Sequence, residues 1–231
     1  MTSRAGWNAR YRHRVVFWRH GRTTWNLDSR FQGATDVPLD EVGVAQAVSA
    51  APALARMAPT AIVSSDLSRA RVTAEALGAM VGLPVGTDPM LRETNGGRWQ
   101  GRTRDEIVAE DPELFRGWVA GNDVRPPGGE SRDEVVARVV DAVHRHLAAM
   151  PSGATLVVVS HGGAIRGGIG GLLGLAREQW SALGVISNCA WSVLSQLELP
   201  APDGSGNVLT WRLEEYNVAA NPAPAIGADD A

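Results

Sequence analysis

Apolar residues fall alternately into short unbroken runs and into longer stretches with helical spacing. Val15-Val16-Phe17-Trp18, entered from Arg14, is the first run; it is rich in β-branched residues and stops abruptly at Arg19-His20-Gly21. It reads as a buried strand that carries His20 to its tip. From Leu39 to Met57 the apolar residues take helical spacing, with Asp40 as the N-cap candidate. The strand pattern returns over Thr60 to Ser65, and a helix is predicted from Asp66 to Val81, ended by Gly82 and Pro84. Three glycines accompany Glu93, Asn95, Arg98 and Trp99 between Leu91 and Gly101, a composition that predicts a functional loop. Helical patches over 103–120 precede a break at Pro126-Pro127-Gly128-Gly129. A helix then runs to Met150, opened by a capping box of Ser131 and Glu134.

The most apolar strand candidate, Ala154 to Val159, stops at Ser160-His161-Gly162-Gly163 and feeds a Gly-rich apolar helix ending near Gly174. This repeats the arrangement at His20. Two more strand patterns, 190–199 and 208–215, flank a Pro/Asp/Gly turn and predict a hairpin. Such alternation predicts a three-layer α/β/α sandwich with a mostly parallel sheet, and ligands at the strand C-termini. The expected organisation is a single domain over 14–216, between an N-terminal extension (1–13) and a loose C-terminal tail (217–231).

Composition narrows the chemistry. With 231 residues, 44% hydrophobic and 20% charged, the chain suits one packed domain rather than a disordered or fibrous protein. A net charge of -3 offers no bulk attraction to nucleic acid or to an anionic membrane, so neither is expected as a partner. All 22 cationic residues are arginine. The absence of lysine excludes Schiff-base catalysis and a Walker phosphate loop, and any phosphate site must be built from Arg. A lone cysteine, Cys189, excludes an internal disulfide and suits a reducing, cytoplasmic setting. No apolar run approaches the length of a membrane span.

Planar, permanently charged guanidinium groups hold a phosphate dianion well, and Arg19 lies directly before the strand-end His20. A neutral imidazole is a competent nucleophile once a hydrogen bond to its other nitrogen sets the tautomer, and Gly21 would let phosphate approach the backbone closely. Taken alone, the triplet is as readily an incidental loop tripeptide, and Glu93 a solvated loop charge. Arg69, in the first turn of a helix after the second strand, and His161, before the Gly-rich helix, supply the context. His144 and His146 fall on a helix as a solvated pair, His13 is expected exposed and Cys189 inert in the core. Trp18, Trp191 and Trp211 read as packed strand residues; Trp25 and Trp99 read as pocket walls. No carboxylate cluster suits a metal, so neither metal nor cofactor is expected.

In their order, Arg19-His20-Gly21-Arg22-Thr23-Thr24-Trp25-Asn26, Phe31-Gln32-Gly33, Ser64-Ser65-Asp66-Leu67-Ser68-Arg69-Ala70, Leu91-Arg92-Glu93 and Ser160-His161-Gly162-Gly163 resemble the histidine phosphatase superfamily, the phosphoglycerate mutase-like group, from about Val15 to Glu215. The resemblance implies a metal-independent phosphomonoesterase with His20 as nucleophile. It implies Arg19, Arg69 and His161 as the phosphate clamp, and Glu93 as the acid for the leaving oxygen. Asn26, Gln32, Gly33 and the Gly162 backbone would add phosphate or substrate contacts. The short, lysine-free stretch after Glu93 looks like the phosphatase subgroup, in particular actinobacterial broad-specificity phosphatases, acting on sugar phosphates or phosphoglycerate conjugates. A cofactor-dependent mutase and a catalytically weak phospho-ligand-binding module are the alternatives. An edge hairpin able to pair two subunits suggests a homodimer.

Overall fold

The computed structural model describes residues 10–201 and 203–220. Strands β1 (Arg10–Arg19), β2 (Ala61–Ser64), β3 (Val85–Thr87), β4 (Thr155–Ser160), β5 (Trp191–Pro200) and β6 (Asn207–Val218) form one sheet in the order β3-β2-β4-β1-β5-β6. The first four in that order are parallel, while β5 and β6 join antiparallel as the hairpin. Helices α1 (Thr24–Leu27), α2 (Glu41–Ala55), α3 (Ser68–Val81), α4 (Arg104–Glu110), α5 (Pro112–Val119), α6 (Arg132–Ala148) and α7 (Gly162–Leu172) complete the fold. The α/β sandwich predicted from the sequence is therefore present, with a mixed sheet.

The unbroken apolar runs follow from burial on both faces. Successive side chains in a strand point to opposite sides. Val15 and Phe17 of β1, with Leu156 and Val158 of β4, join the core that includes Val139 and Val143 of α6 and Ile165 and Ile169 of α7. Val16, Trp18, Val157 and Val159 join the other core, with Ala50 and Leu54 of α2 and Ala74 and Leu77 of α3. Each fully buried side chain of this size contributes roughly 1.5–3 kcal/mol. Both faces of β1 and β4 thus resist a one-residue slip, which would exchange the two sets.

Local signals set the helix ends. Asp40 caps α2 by accepting from Gly43 N, Gly82 closes α3 with φ 70°, and Ser131 and Glu134 form the capping box of α6. The pattern over 103–120 divides into α4 and α5 because Pro112, with no N–H, begins a new helix rather than continuing the old one. β3 was not anticipated; at three residues it is too short to show a period. β1 begins at Arg10, ahead of the predicted strand, and pairs Arg10 with Glu198 of β5. His13 consequently lies inside the sheet and is buried, contrary to the expected exposure, and burial together with Arg12 lowers its pKa. β6 reaches Val218, so the stretch expected as a loose tail from residue 217 begins inside a strand, and residues 221–231 lie outside the described residues. No helix among the described residues is long and apolar enough to cross a membrane.

Gly21 also has a packing task that its sequence context did not indicate. A Cβ there would lie 2.3 Å from Gly43 O, and one on Gly43 would lie 2.0 Å from Arg22 O, so the loop after β1 rests backbone to backbone on α2. Gly43→Ala should therefore destabilise the fold by about 1–3 kcal/mol. A fall in the urea midpoint at unchanged m value would register it; an unchanged midpoint would mean the loop yields freely.

Candidate active site

Register brings the two histidines together. β1 and β4 are parallel neighbours with Arg19 opposite Ser160, so the next residue on each strand is His20 or His161. Their ring centroids are 5.1 Å apart, and His20 N donates to Ser160 O at 3.0 Å. β2 lies on the other side of β4 and turns into α3, whose first turn carries Arg69. Arg19, His20, Arg69 and His161 are all essentially inaccessible.

Hydrogen bonds assign the rings opposite tautomers. His20 Nδ1 lies 2.7 Å from Gly21 O, an atom that only accepts, so Nδ1 carries the proton and Nε2 keeps its lone pair. His161 Nδ1 accepts from Arg69 Nε at 3.1 Å, and a guanidinium only donates, so the proton of His161 sits on Nε2. That Nε2 is buried without a protein acceptor. Burial, then Arg69, then Arg19 hold the pKa of His20 well below its ordinary 6.5. Burial, Arg69 and His20 do the same to His161. At neutral pH the pair is thus one nucleophilic nitrogen beside one N–H donor.

The clamp is tied down by carbonyl groups. Arg69 Nη1 donates to Thr35 O and Nη2 to Gly33 O, both at 2.7 Å, and Arg19 Nη1 donates to Ile186 O. Gly33 adopts φ 54°, and a Cβ there would collide with Gln100 and Thr94. Asn26 is buried in α1; its Oδ1 accepts from Thr23 N and Asn188 Nδ2, while its Nδ2 has no partner. Gln32 is buried as well, with Oε1 accepting from Thr23 Oγ1 at 2.9 Å. Buried donors without acceptors are rare in folded proteins, and Asn26 Nδ2 and His161 Nε2 are both of this kind.

Glu93 approaches from the loop before α4 and is buried rather than solvated. Its carboxylate accepts from Thr94 N (2.8 Å), Gly163 N (2.9 Å) and Ala164 N (3.0 Å). Two of the first N–H groups of α7 therefore hold this acid in place beside His161. Arg138 of α6 secures the same loop, donating to Met90 O, Arg92 O and Glu93 O while pairing with Glu130 at 2.9 Å. Glu130 in turn accepts from Asn95 N at 2.8 Å.

Several sequence expectations need correction. Trp99 is not a pocket wall: it is buried in a satellite core with Phe31, Ile107, Phe115 and Trp118, and its indole N–H donates to Asp111 at 2.9 Å. Trp25 is half-buried against Gly101. His146 is not merely solvated, since its Nε2 meets Asp88 at 2.9 Å, whereas His144 is exposed. Cys189 is buried, and its thiol is pushed up to about 12 by burial. The sequence reading missed Asn188, which donates to His20 O at 3.2 Å, and Thr73, which accepts from Gly21 N at 3.0 Å. It missed Arg138 too. All three reach the site from distant elements, and no local pattern assigned them a role. No group of three or more His, Cys, Asp or Glu among the described residues is placed to hold a metal ion.

A mixed α/β sheet with paired imidazoles and guanidinium groups at adjoining strand tips defines a phosphoryl-binding enzyme of the α/β class. The chain belongs to the histidine phosphatase superfamily (branch 1), whose family model matches residues 15–198. It is 42% identical over 214 residues to glucosyl-3-phosphoglycerate phosphatase of Mycobacterium tuberculosis, covering 90% of this chain and 95% of that one. It is 36% identical over 187 residues to a probable phosphoglycerate mutase of Yersinia pestis, covering 80% and 86%. The solved structure of a mycobacterial glucosyl-3-phosphoglycerate phosphatase in complex with VO3 superposes with a TM-score of 0.81 at 40% identity, covering 89% of this chain and 99% of that one.

Two neutral buried histidines make stability depend on pH. Unfolding restores the ordinary pKa of 6.5, so below that pH the unfolded chain binds more protons and stability falls as pH falls. Each ring contributes a slope of up to about 1.4 kcal/mol per pH unit between its depressed pKa and 6.5. Urea unfolding at pH 7.0 and 5.5 should show the loss, and His161→Gln, which leaves His20 in place, should reduce it without abolishing it.

Proposed function

We propose that the chain hydrolyses small phosphomonoesters, of the sugar-phosphate or phosphoglycerate type, through a phosphohistidine on His20 and without a metal ion. The observation that carries this reading is the pair of opposite tautomers. One ring presents a lone pair at His20 Nε2, and the neighbouring ring presents an N–H at His161 Nε2 that has no acceptor within the protein.

In the first step His20 Nε2 attacks phosphorus and the P–O ester bond breaks. Glu93 gives its proton to the departing alkoxide. Arg19, Arg69, His161 Nε2–H and Asn26 Nδ2–H carry the charge on the non-bridging oxygens, with Gln32 and Gly162 N–H adding contacts. In the second step Glu93 takes a proton from water, whose oxygen attacks phosphorus, and the P–N bond breaks to release phosphate. Fixed cations and dipoles perform the electrostatic work that Mg²⁺ performs elsewhere.

Hydrolysis rather than transfer to a second substrate is supported by the phosphatase named among the relatives at 42% identity, against 36% for the probable mutase. The reading extends to glucosyl-3-phosphoglycerate, the substrate in that relative's name. A buried, weakly acidic thiol suits a reducing compartment, the cytoplasm. The outer edge of β6 exposes Val208 and Leu209 and is the surface through which a homodimer would form.

His20→Ala should lower turnover of a phosphomonoester by at least about 1,000-fold while leaving the protein folded. Quenching wild-type protein during turnover of a ³²P-labelled ester should yield an acid-labile, alkali-stable adduct. Binding without turnover would leave a ligand-binding module. Formation of 2-phosphoglycerate from 3-phosphoglycerate with a bisphosphoglycerate primer would indicate a mutase.

A further inference from the structure

Glu93 also lines a cleft that neither histidine lines. Glu93, Gly163, Trp118, Arg132, Arg166 and Trp180 line its inner part, and a roomier outer recess shares Arg132, Arg166 and Trp180 with it. If Glu93 protonates the leaving oxygen, the alcohol half of the ester occupies this cleft.

The cations here are differently engaged. Arg177 is paired with Asp123 at 3.1 Å and with Asp133. Arg132 stacks on Trp118, with the guanidinium carbon 4.2 Å from the ring centroid. Arg166 is half-buried, lines both parts of the cleft, and makes no hydrogen bond or ion pair with any described residue. A partly desolvated guanidinium without an acceptor is costly unless an anion joins it.

Glycines of α7 let two of the groups that line the cleft come close to the helix. A Cβ on Gly163 would stand 2.9 Å from Glu93 Oε1, and one on Gly170 would stand 3.0 Å from the Trp180 ring. The nearby glycines hold the acid and the indole close to the helix, and Arg166 rises between them. The Trp180 ring is fixed, its N–H donating to Leu175 O at 3.1 Å. A rigid aromatic face beside a guanidinium suits a sugar ring bonded to a carboxylate-bearing alcohol.

We propose that Arg166 binds a carboxylate on the alcohol half of the substrate, with Trp180 as the wall for an attached sugar, so that this cleft selects carboxylated phosphate esters. The proposal rests on the phosphatase reading. The paired probes are 3-phosphoglycerate and glycerol 3-phosphate, which differ only in carrying a carboxylate or a hydroxymethyl group.

Wild-type protein should prefer 3-phosphoglycerate in kcat/KM, and Arg166→Gln should reduce that preference about 10- to 100-fold, as expected for loss of one charge-assisted bidentate contact. Arg166→Lys should restore part of it. The loss should appear in KM for the carboxylated ester, because the carboxylate does not change during reaction. An unchanged preference in Arg166→Gln, or none in the wild type, would overturn the subsite alone. Failure of folded wild-type protein to hydrolyse p-nitrophenyl phosphate as well as both probes would overturn the phosphatase reading, and the subsite with it.

Discussion

Guanidinium groups do not surrender their protons inside a protein, whereas imidazoles do, and the strand-tip cluster is organised by that difference. Arg19 and Arg69 are buried as cations and held by carbonyl oxygens of Ile186, Gly33 and Thr35. The neighbouring rings, buried with them, are driven neutral. Gly21 O and Arg69 Nε then decide where each remaining proton sits. One electrostatic constraint thus creates both a nucleophile and a donor from the same residue type.

The rest of the fold maintains this crowding. Two apolar cores clamp β1 and β4 from opposite sides, so the register that sets His20 beside His161 is costly to disturb. The backbone contact between Gly21 and Gly43 holds the loop after β1 on α2, and Thr73 adds a bond from α3. On the other side, the first turn of α7 grips Glu93 while Arg138 of α6 binds the carbonyl groups of its loop. The acid is therefore positioned by the helix that follows His161, and the two groups share one support.

The region outside the sheet is built on a different core. Phe31, Trp99, Ile107, Phe115 and Trp118 form a separate apolar cluster, with edge-to-face ring contacts about 6 Å apart. Trp99 looked like a pocket wall because it stands among glycines and polar residues in sequence, a context that describes its loop and not its side chain. Its burial makes the loop after Glu93 the anchor of this third cluster, so the leaving-group side rests on packing largely independent of the sheet.

Much was legible in the sequence because local chemistry controlled it. Unbroken apolar runs ended by His-Gly marked both critical strands, the caps at Asp40 and Ser131 and the stop at Gly82 were readable, and the separated Arg, His and Glu segments pointed to one family. The tautomer of His161, the burial of His13 and Trp99, and the contributions of Asn188, Thr73 and Arg138 were decided by the tertiary structure. The physical reason is that periodicity and capping depend on neighbours within a few residues. The proton's position on His161, and the bonds by which Thr73 and Asn188 hold the backbone at His20 and Gly21, depend on groups that the chain brings together from 50 to more than 150 residues away.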